Sequence, residues 1–247
     1  MASVVVHYTA AAVSDRGCKR PANEDAFGYS VEHGMYLVCD GMGGAAAGEV
    51  ASSLAVEEML RLLGGGAGEE NESLLQRVQK AVAATNEAIY SRSRRNPRLS
   101  GMGTTMVALM TEGSRVLVIN IGDSRVYRLR NHRLEQLTQD HSLVDEQVRE
   151  GRLTPAEALR SPLRNVITRA LGTQSAVTPD IYALDAESGD LFLLCSDGLT
   201  RELADAEIQS LLSADLPLDK RCARLVEAAK KSGGNDNITC LLVQAAE

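Results

Sequence analysis

The chain of 247 residues contains no Trp, only two Phe and six Tyr, so aromatic residues make up 3% of it. Its 26 Lys and Arg are outnumbered by 33 Asp and Glu, which gives a formal net charge of −7. Nucleic-acid binding needs a positive field and aromatic stacking surfaces. The composition therefore argues against nucleic acid as a partner.

Long apolar runs are also missing. Stretches such as 191–195 are far shorter than the roughly 20 residues that a membrane-spanning helix needs. The first residues carry no basic region followed by a long apolar region, so no secretory signal is expected. The five cysteines are odd in number and include no Cys-x-x-Cys pair, which argues against a disulfide framework or a zinc site. We expect a soluble cytoplasmic protein with no membrane contact.

Short apolar runs separated by turn residues predict strands, and apolar residues at helical spacing predict helices. The predicted strands are 4–9, 35–39, 104–111, 115–121, 125–130, 133–137, 190–196 and 238–244. The predicted helices are 48–63, 71–92, 143–150, 155–160, 205–213 and 218–231. The four strands between 104 and 137 are predicted to form an antiparallel meander. Blocks of strands and helices without regular alternation indicate an α+β protein with helices covering packed antiparallel sheets. No repeat or linker divides the chain, so we expect a single domain over residues 1–247.

Acidic residues recur at the ends of the predicted strands. Asp40, Asp123 and Asp197 each follow an apolar run, Asp236 precedes one, and residues 23–25 form an Asn-Glu-Asp cluster. A single Asp-Gly after a strand is explained by a turn. Several such acids at one edge of a sheet would repel one another unless cations neutralised them. Mg²⁺ and Mn²⁺ prefer carboxylate and carbonyl oxygens, so the pattern favours a site for two divalent cations.

Seven motifs follow one another along the chain: Asp15-x-Gly-x-x-Arg-x-x-Asn-Glu-Asp, Asp40-Gly-Met-Gly-Gly, Gly103-Thr-Thr, Gly122-Asp-Ser-Arg, Asp140-His-Ser, Ser196-Asp-Gly-Leu-Thr and Asp236-Asn-Ile-Thr. With these motifs, residues 8–244 resemble the metal-dependent Ser/Thr protein phosphatases of the PPM or type 2C family, in the compact bacterial form. The resemblance implies a four-layer αββα sandwich, in agreement with the pattern of elements.

The resemblance also implies an activity. Phosphoserine and phosphothreonine of proteins would be hydrolysed by a hydroxide that bridges two Mn²⁺ or Mg²⁺ ions, since metal ions lower the pKa of bound water. The expected substrates are phosphorylated Ser/Thr proteins, including a bacterial Ser/Thr kinase that the enzyme would oppose. A monomer is expected. Two alternatives stay open: a phosphatase of this fold acting on another phosphorylated partner, and a binding module without catalysis.

Site roles follow from matching each motif to the family. Asp40 would bridge the two metal ions, with the backbone carbonyl of Gly41, Asp197 and Asp236 as further ligands. Glu24 would contribute through a water molecule. A third metal ion would be held by Asp123 together with Asp197. For Asp123 alone, a hairpin turn is the alternative explanation.

Arg20 matches the family arginine that binds the substrate phosphate, for which a planar guanidinium is suited. The alternative is an ion pair with Glu24 or Asp25. Asp25 would orient metal-bound water. Met42 stands where many relatives have a histidine, and Met has no proton to donate to the leaving oxygen. His141 is a candidate donor, although a structural role is favoured for it.

Residues 142–168 correspond to the variable flap beside the family's active site. The arginines of this region would either contact a phosphoprotein substrate or form a solvated surface; they are Arg149, Arg152, Arg160, Arg164 and Arg169. A relative without catalysis would be expected to lose one of Asp40, Asp197 or Asp236, and all three are present.

Overall fold

The computed structural model describes residues 6–43, 47–64 and 72–246. Its strands are β1 His7–Asp15, β2 Asp25–Ser30, β3 Met35–Met42, β4 Gly103–Thr104, β5 Met106–Glu112, β6 Arg115–Ile121, β7 Arg125–Arg130, β8 Arg133–Gln136, β9 Asp180–Asp185, β10 Leu191–Cys195 and β11 Ile238–Ala246. Its α-helices are α1 Ala47–Gly64, α2 Leu74–Arg95, α3 Leu143–Arg149, α4 Pro155–Arg160, α5 Asp197–Thr200, α6 Asp205–Leu212 and α7 Leu218–Ser232, and a short 3₁₀ helix spans Pro97–Leu99.

The strands form two antiparallel sheets. One sheet has the order β1-β11-β10-β7-β8, and the other has the order β2-β3-β5-β6-β9 with β4 paired to β3. Strands β1 and β11 pair along nine residues, from His7 opposite Ala246 to Asp15 opposite Ile238. The first and last described strands therefore lie side by side in one sheet.

Three apolar clusters define the layers. Helices α1 and α2 bury residues such as Met59 and Ile89 against the β2–β9 sheet. Helices α6 and α7 bury Ile208 and Leu225 against the other sheet, and a third cluster that includes Phe192 fills the space between the two sheets. The layers are thus helix, sheet, sheet and helix, which confirms the predicted α+β four-layer αββα sandwich.

The predicted meander over 104–137 is confirmed for the antiparallel pairs β5–β6 and β7–β8 and is wrong for the pairing of β6 with β7. Strand β6 pairs with β5 and β9, whereas β7 pairs with β10 and β8 in the other sheet. The chain crosses between the sheets at Gly122, Asp123 and Ser124, so Asp123 does not lie in a hairpin turn. Turn residues mark where a strand ends, and they do not specify which sheet receives the next strand.

Two strands, β2 and β9, escaped prediction. Both are edge strands with several exposed positions, so their sequences lack a continuous apolar run. The predicted strand 4–9 corresponds to the start of β1, with residues 4 and 5 outside the described residues. Among the described helices, none combines the length and apolar character that a bilayer-spanning helix requires.

Candidate active site

Asp40 lies near the end of β3, and its backbone is held by the Gly103-Thr104-Thr105 motif. Its N–H donates to Thr105 Oγ1 at 3.0 Å, and its carbonyl accepts from the Thr105 N–H and the Thr104 hydroxyl, each at 2.9 Å. Thr105 Oγ1 in turn lies 2.7 Å from the Ser124 hydroxyl. These bonds hold Asp40 through its backbone N–H and carbonyl and use no atom of its carboxyl group.

The loop that carries Glu24 is attached to the rest of the site by Asn237. The Asn237 side chain accepts from the Glu24 N–H at 2.9 Å and donates to the carbonyls of Arg16 and Ala22 at 3.0 and 2.9 Å. The Gly41 N–H donates to the Glu24 carbonyl at 3.1 Å. A Cβ on Gly41 would lie 2.5 Å from that carbonyl oxygen, which explains the glycine.

Asp25 is buried between the two sheets. Its Oδ2 accepts hydrogen bonds from the Ser196 and Thr239 hydroxyls, both at 2.7 Å, and both residues belong to the opposite sheet or its end. Burial raises the pKa of Asp25 to about 7 despite these hydrogen bonds, and the charge of Asp197 adds to the rise. Asp25 therefore joins the sheets at the base of the acidic cluster.

Asp123 and Asp197 share one guanidinium group. Asp197 begins α5 directly after β10, and Arg201, four residues later, forms an ion pair with it. Arg201 Nη2 also lies 3.4 Å from Asp123 Oδ2, and its Nη1 lies 3.7 Å from Asp236 Oδ2. Burial raises the pKa of Asp123 to about 8, and the negative charge of Asp197 contributes.

The acids from separate motifs form a single electrostatic cluster. Burial raises the pKa of Asp40 well above its ordinary value, and the charges of Asp25, Asp197, Asp123 and Asp236 raise it further. Burial likewise raises the pKa of Asp197, whose side chain is close enough to Asp40 for a hydrogen bond. Carboxyl groups this close cannot all ionise without compensating cations.

A cavity of about 230 Å³ opens over these acids and is lined by Arg20, Glu24, Asp40, Gly41, Met42, Gly43, Asn165, Ile167, Asp197, Arg201, Asp236 and Asn237. Arg20 Nη2 pairs with Asp236 Oδ2 at 2.7 Å, rather than with Glu24 or Asp25. An adjoining cavity of about 250 Å³ brings Arg164 to the same mouth.

Arg201 and Asn165 were not singled out from the sequence, although both line the cavity. The spacing of Arg201, four residues after Asp197, places the two side chains on one face of a helical turn. This spacing is the signal that identifies Arg201. Asn165 offers no comparable signal.

His141 has the geometry of a structural histidine. Its Nδ1 accepts from the Gly122 N–H at 3.1 Å, and its Nε2 lies 3.1 Å from Asp180 Oδ2. Its carbonyl accepts from the Thr168 N–H at 2.9 Å, so it closes the base of the 142–168 segment. Burial lowers the pKa of His141, which keeps the ring neutral with its proton on Nε2.

The donor chemistry suits hard divalent cations. Three buried carboxylate oxygens have no hydrogen-bond partner among the described residues: Asp25 Oδ1, Asp123 Oδ1 and Asp197 Oδ1. Within the part of the chain that the structure describes, no three acidic, His or Cys side chains converge on one point as metal ligands, and the guanidinium of Arg201 lies among the acids instead. The residues fit a metal centre by chemistry, charge and unsatisfied oxygens.

A family model described as protein phosphatase 2C matches residues 19–243. The chain belongs to this family. The serine/threonine phosphatase stp of Listeria monocytogenes is 40% identical to this chain over 240 residues, which are 94% of this chain and 93% of the relative. The family resemblance drawn from the motifs is thereby confirmed.

Solved structures agree. The structure of the serine/threonine phosphatase PstP/Ppp of Mycobacterium tuberculosis superposes on this chain with a TM-score of 0.89 at 39% identity. The match covers 99% of this chain and 100% of the PstP chain. A structure of the PstP catalytic domain in complex with two manganese ions gives a TM-score of 0.87 at 38% identity, with 98% and 100% coverage. The protein is an enzyme, a metal-dependent phosphoprotein phosphatase.

Proposed function

We propose that the chain is a single catalytic domain that hydrolyses phosphoserine and phosphothreonine in proteins, with two Mn²⁺ or Mg²⁺ ions as cofactors. The observation that carries the proposal is that Asp40, Asp197, Asp236 and Arg20, which come from four separate motifs, all line one cavity of about 230 Å³. The relatives named for serine/threonine dephosphorylation, and the manganese in one of their structures, support the substrate class and the metal.

Asp40, the Gly41 carbonyl, Asp197 and Asp236 would hold the two ions, with Glu24 acting through water and Asp25 orienting a water. A third ion would take Asp123 and Asp197. When bound, the ions supply a Lewis acid that lowers the pKa of a water molecule and stabilises charge on the phosphate. The four negative charges of Asp40, Asp197, Asp236 and Glu24 would balance the four positive charges of two divalent cations. The site with ions bound would then accept a phosphate dianion, which the acids alone would repel.

The chain's own residues position the substrate. Arg20 is half-exposed at the mouth of the cavity, where its guanidinium can turn from Asp236 to two phosphate oxygens. Arg164 and Arg201 line the neighbouring cavity and add positive charge at the same mouth. Met42 has no proton to give, and His141 directs its two nitrogens to Gly122 and Asp180. Neither Met42 nor His141 therefore supplies the proton for the leaving oxygen.

The test is hydrolysis of a phosphothreonine peptide by the purified protein with Mn²⁺, with Mg²⁺ and with EDTA, beside a phosphotyrosine peptide of the same sequence. We expect turnover of the phosphothreonine peptide that stops with EDTA and little turnover of the phosphotyrosine peptide. Asp236→Asn should reduce turnover more than about 100-fold, whereas the exposed acid change Asp215→Asn should leave it unaltered. Metal-independent turnover, or equal loss in both variants, would contradict the proposal.

Opposition to a Ser/Thr kinase, the monomeric state, the absence of nucleic-acid and membrane partners and a cytoplasmic location stay predictions. Dephosphorylation of an autophosphorylated bacterial Ser/Thr kinase would test the first of these. Light scattering of the purified protein would test the second.

A further inference from the structure

Two long segments of this acidic chain contain no acid. Although the sequence has 33 Asp and Glu, none occurs in 88–111 and none occurs in 158–179. The first segment carries Arg92, Arg94, Arg95 and Arg98, and the second carries three arginines of the flap region. Both segments therefore carry a net positive charge in a protein whose net charge is −7.

The two segments meet in the fold. The Asn86 side chain, two residues before the first segment, donates to the Gln174 carbonyl at 3.0 Å and accepts from the Gly172 N–H at 2.8 Å. Thr104 and Leu171 exchange backbone hydrogen bonds of 3.1 and 2.9 Å. The two acid-free segments are therefore packed against each other through buried residues.

The first acid-free segment borders the active-site cavity. The Thr104 hydroxyl contacts the Asp40 carbonyl at 2.9 Å, and Arg98 precedes Thr104 by six residues. Six residues span at most about 20 Å, so Arg98 lies within that distance of Thr104, which contacts Asp40 of β3. The other three arginines precede Arg98 in the last turn of α2. The Ser93 hydroxyl, which accepts from the Gly101 N–H at 3.1 Å, ties the end of α2 to the same loop.

We call Arg92, Arg94, Arg95 and Arg98 the α2 arginine surface. All four residues are exposed, and no ion pair or side-chain hydrogen bond with another described residue engages their guanidinium groups. In contrast, Arg169 of the second segment pairs with Asp180 at 2.6 Å. Cations in the last turn of a helix favour its dipole, but Arg98 lies beyond the end of α2. Like charges three and four positions apart repel, so helix stability does not account for the cluster.

We propose that the α2 arginine surface binds an anionic segment of the phosphoprotein substrate, either carboxylates or a second phosphate, within about six residues of the phosphorylated residue in the active-site cavity. The distance follows from the reach of an extended peptide, which rises about 3.3 Å per residue. Guanidinium groups bind carboxylate and phosphate oxygens in pairs. The inference rests on the proposed function and names the kind of sequence that the same site selects.

The test compares three phosphothreonine peptides that differ only about six residues from the phosphothreonine: one neutral, one with three Glu, and one with a phosphoserine that is followed separately. For the wild type in low salt, we expect kcat/KM to be about tenfold higher for both anionic peptides than for the neutral one. Arg94→Gln/Arg98→Gln should abolish this preference and leave hydrolysis of the neutral peptide and of p-nitrophenyl phosphate within about twofold of the wild type.

Lys220→Gln/Arg224→Gln on α7 removes the same charge from the opposite helical layer and serves as the matched control. A preference that survives in Arg94→Gln/Arg98→Gln, or that is lost equally in the α7 control, overturns the proposal. So does binding of the surface to RNA or anionic vesicles without any effect of the α2 change on peptides. Failure to hydrolyse any of the peptides would count against the proposed function instead. A preference for only one of the two anionic peptides would support the proposal and would show whether carboxylate or phosphate is the preferred ligand.

Discussion

Asp25 and Asp40 stand directly opposite each other on β2 and β3. Two carboxylates in such a cross-strand pair repel each other, and Asp25 is also buried. Two hydroxyl groups hold the Asp25 Oδ2, but its Oδ1 has no partner among the described residues. The strand pair thus carries an electrostatic cost that the proposed metal ions would offset.

Asp25→Asn tests this cost. An amide oxygen can still accept from Ser196 and Thr239, while the charge facing Asp40 is removed. We expect the metal-free protein to gain about 2 kcal/mol in free energy of unfolding, or roughly 5 °C in Tm, and Mn²⁺ affinity to fall. Calorimetry in EDTA and a Mn²⁺ titration measure the two effects. A lower Tm without metal would contradict the argument, and Asp215→Asn serves as the surface control.

The thermal stability of the metal-free protein should depend on pH because of the same repulsion between buried carboxylates. The pKa values of Asp25 and Asp123 are raised to about 7 and about 8 by burial. A carboxyl whose folded pKa exceeds its unfolded value binds more protons in the folded state, so the folded state gains stability as the pH falls. We expect Tm in EDTA to rise from pH 8.5 to pH 6.5, and Asp123→Asn to flatten the rise. Saturating Mn²⁺ should remove the trend, since metal ions compete with protons; a Tm that falls over this range in EDTA would disprove the assignment.

Arg20→Lys separates charge from geometry. Lysine keeps the positive charge near Asp236 but cannot donate two parallel hydrogen bonds to a phosphate. We expect KM for a phosphothreonine peptide to rise about tenfold with a smaller change in kcat, and the Tm to stay within a degree or two of the wild type. Steady-state kinetics at saturating Mn²⁺ make the measurement. An unchanged KM would remove Arg20 from the substrate site.

Arg201→Met tests the guanidinium that lies among Asp197, Asp123 and Asp236. Arg201 is itself exposed, but its partners Asp123 and Asp197 are buried. A buried carboxylate that loses its cation is unfavourable, so the metal-free variant should melt below the wild type. Added Mn²⁺ should raise the Tm of the variant more than that of the wild type, because the ions then replace a cation that is missing. Equal shifts in both proteins would show that Arg201 does not share the carboxylates with the metal.

The sequence predicted the layers and the acids better than the connections between strands. Asp40, Asp197 and Asp236 are identifiable because each stands beside an apolar strand and within a recurring motif. The crossing at Gly122–Ser124 was missed, since the turn residues that end β6 are compatible with either sheet. Strand β2 was missed because its exposed edge positions break the apolar pattern.

The contacts that the acids make in the fold could not be predicted from the sequence either. Arg20 pairs with Asp236, more than 200 positions away along the chain, and not with the neighbouring acids that sequence proximity favours. Asn237 looked like part of a strand-flanking motif, yet its side chain organises the loop of Glu24. Such pairings depend on how the two sheets are brought together, and local patterns carry no information on that.

The acids that would bind metal come from both sheets: Asp40 ends a strand of one, and Asp197 and Asp236 flank strands of the other. Ions bound across this boundary would act as a clamp between two halves of the sandwich. By mass action, metal availability then sets how often the halves separate. If the ions bind as proposed, removing divalent cations would stop turnover and would also make the protein more susceptible to proteolysis.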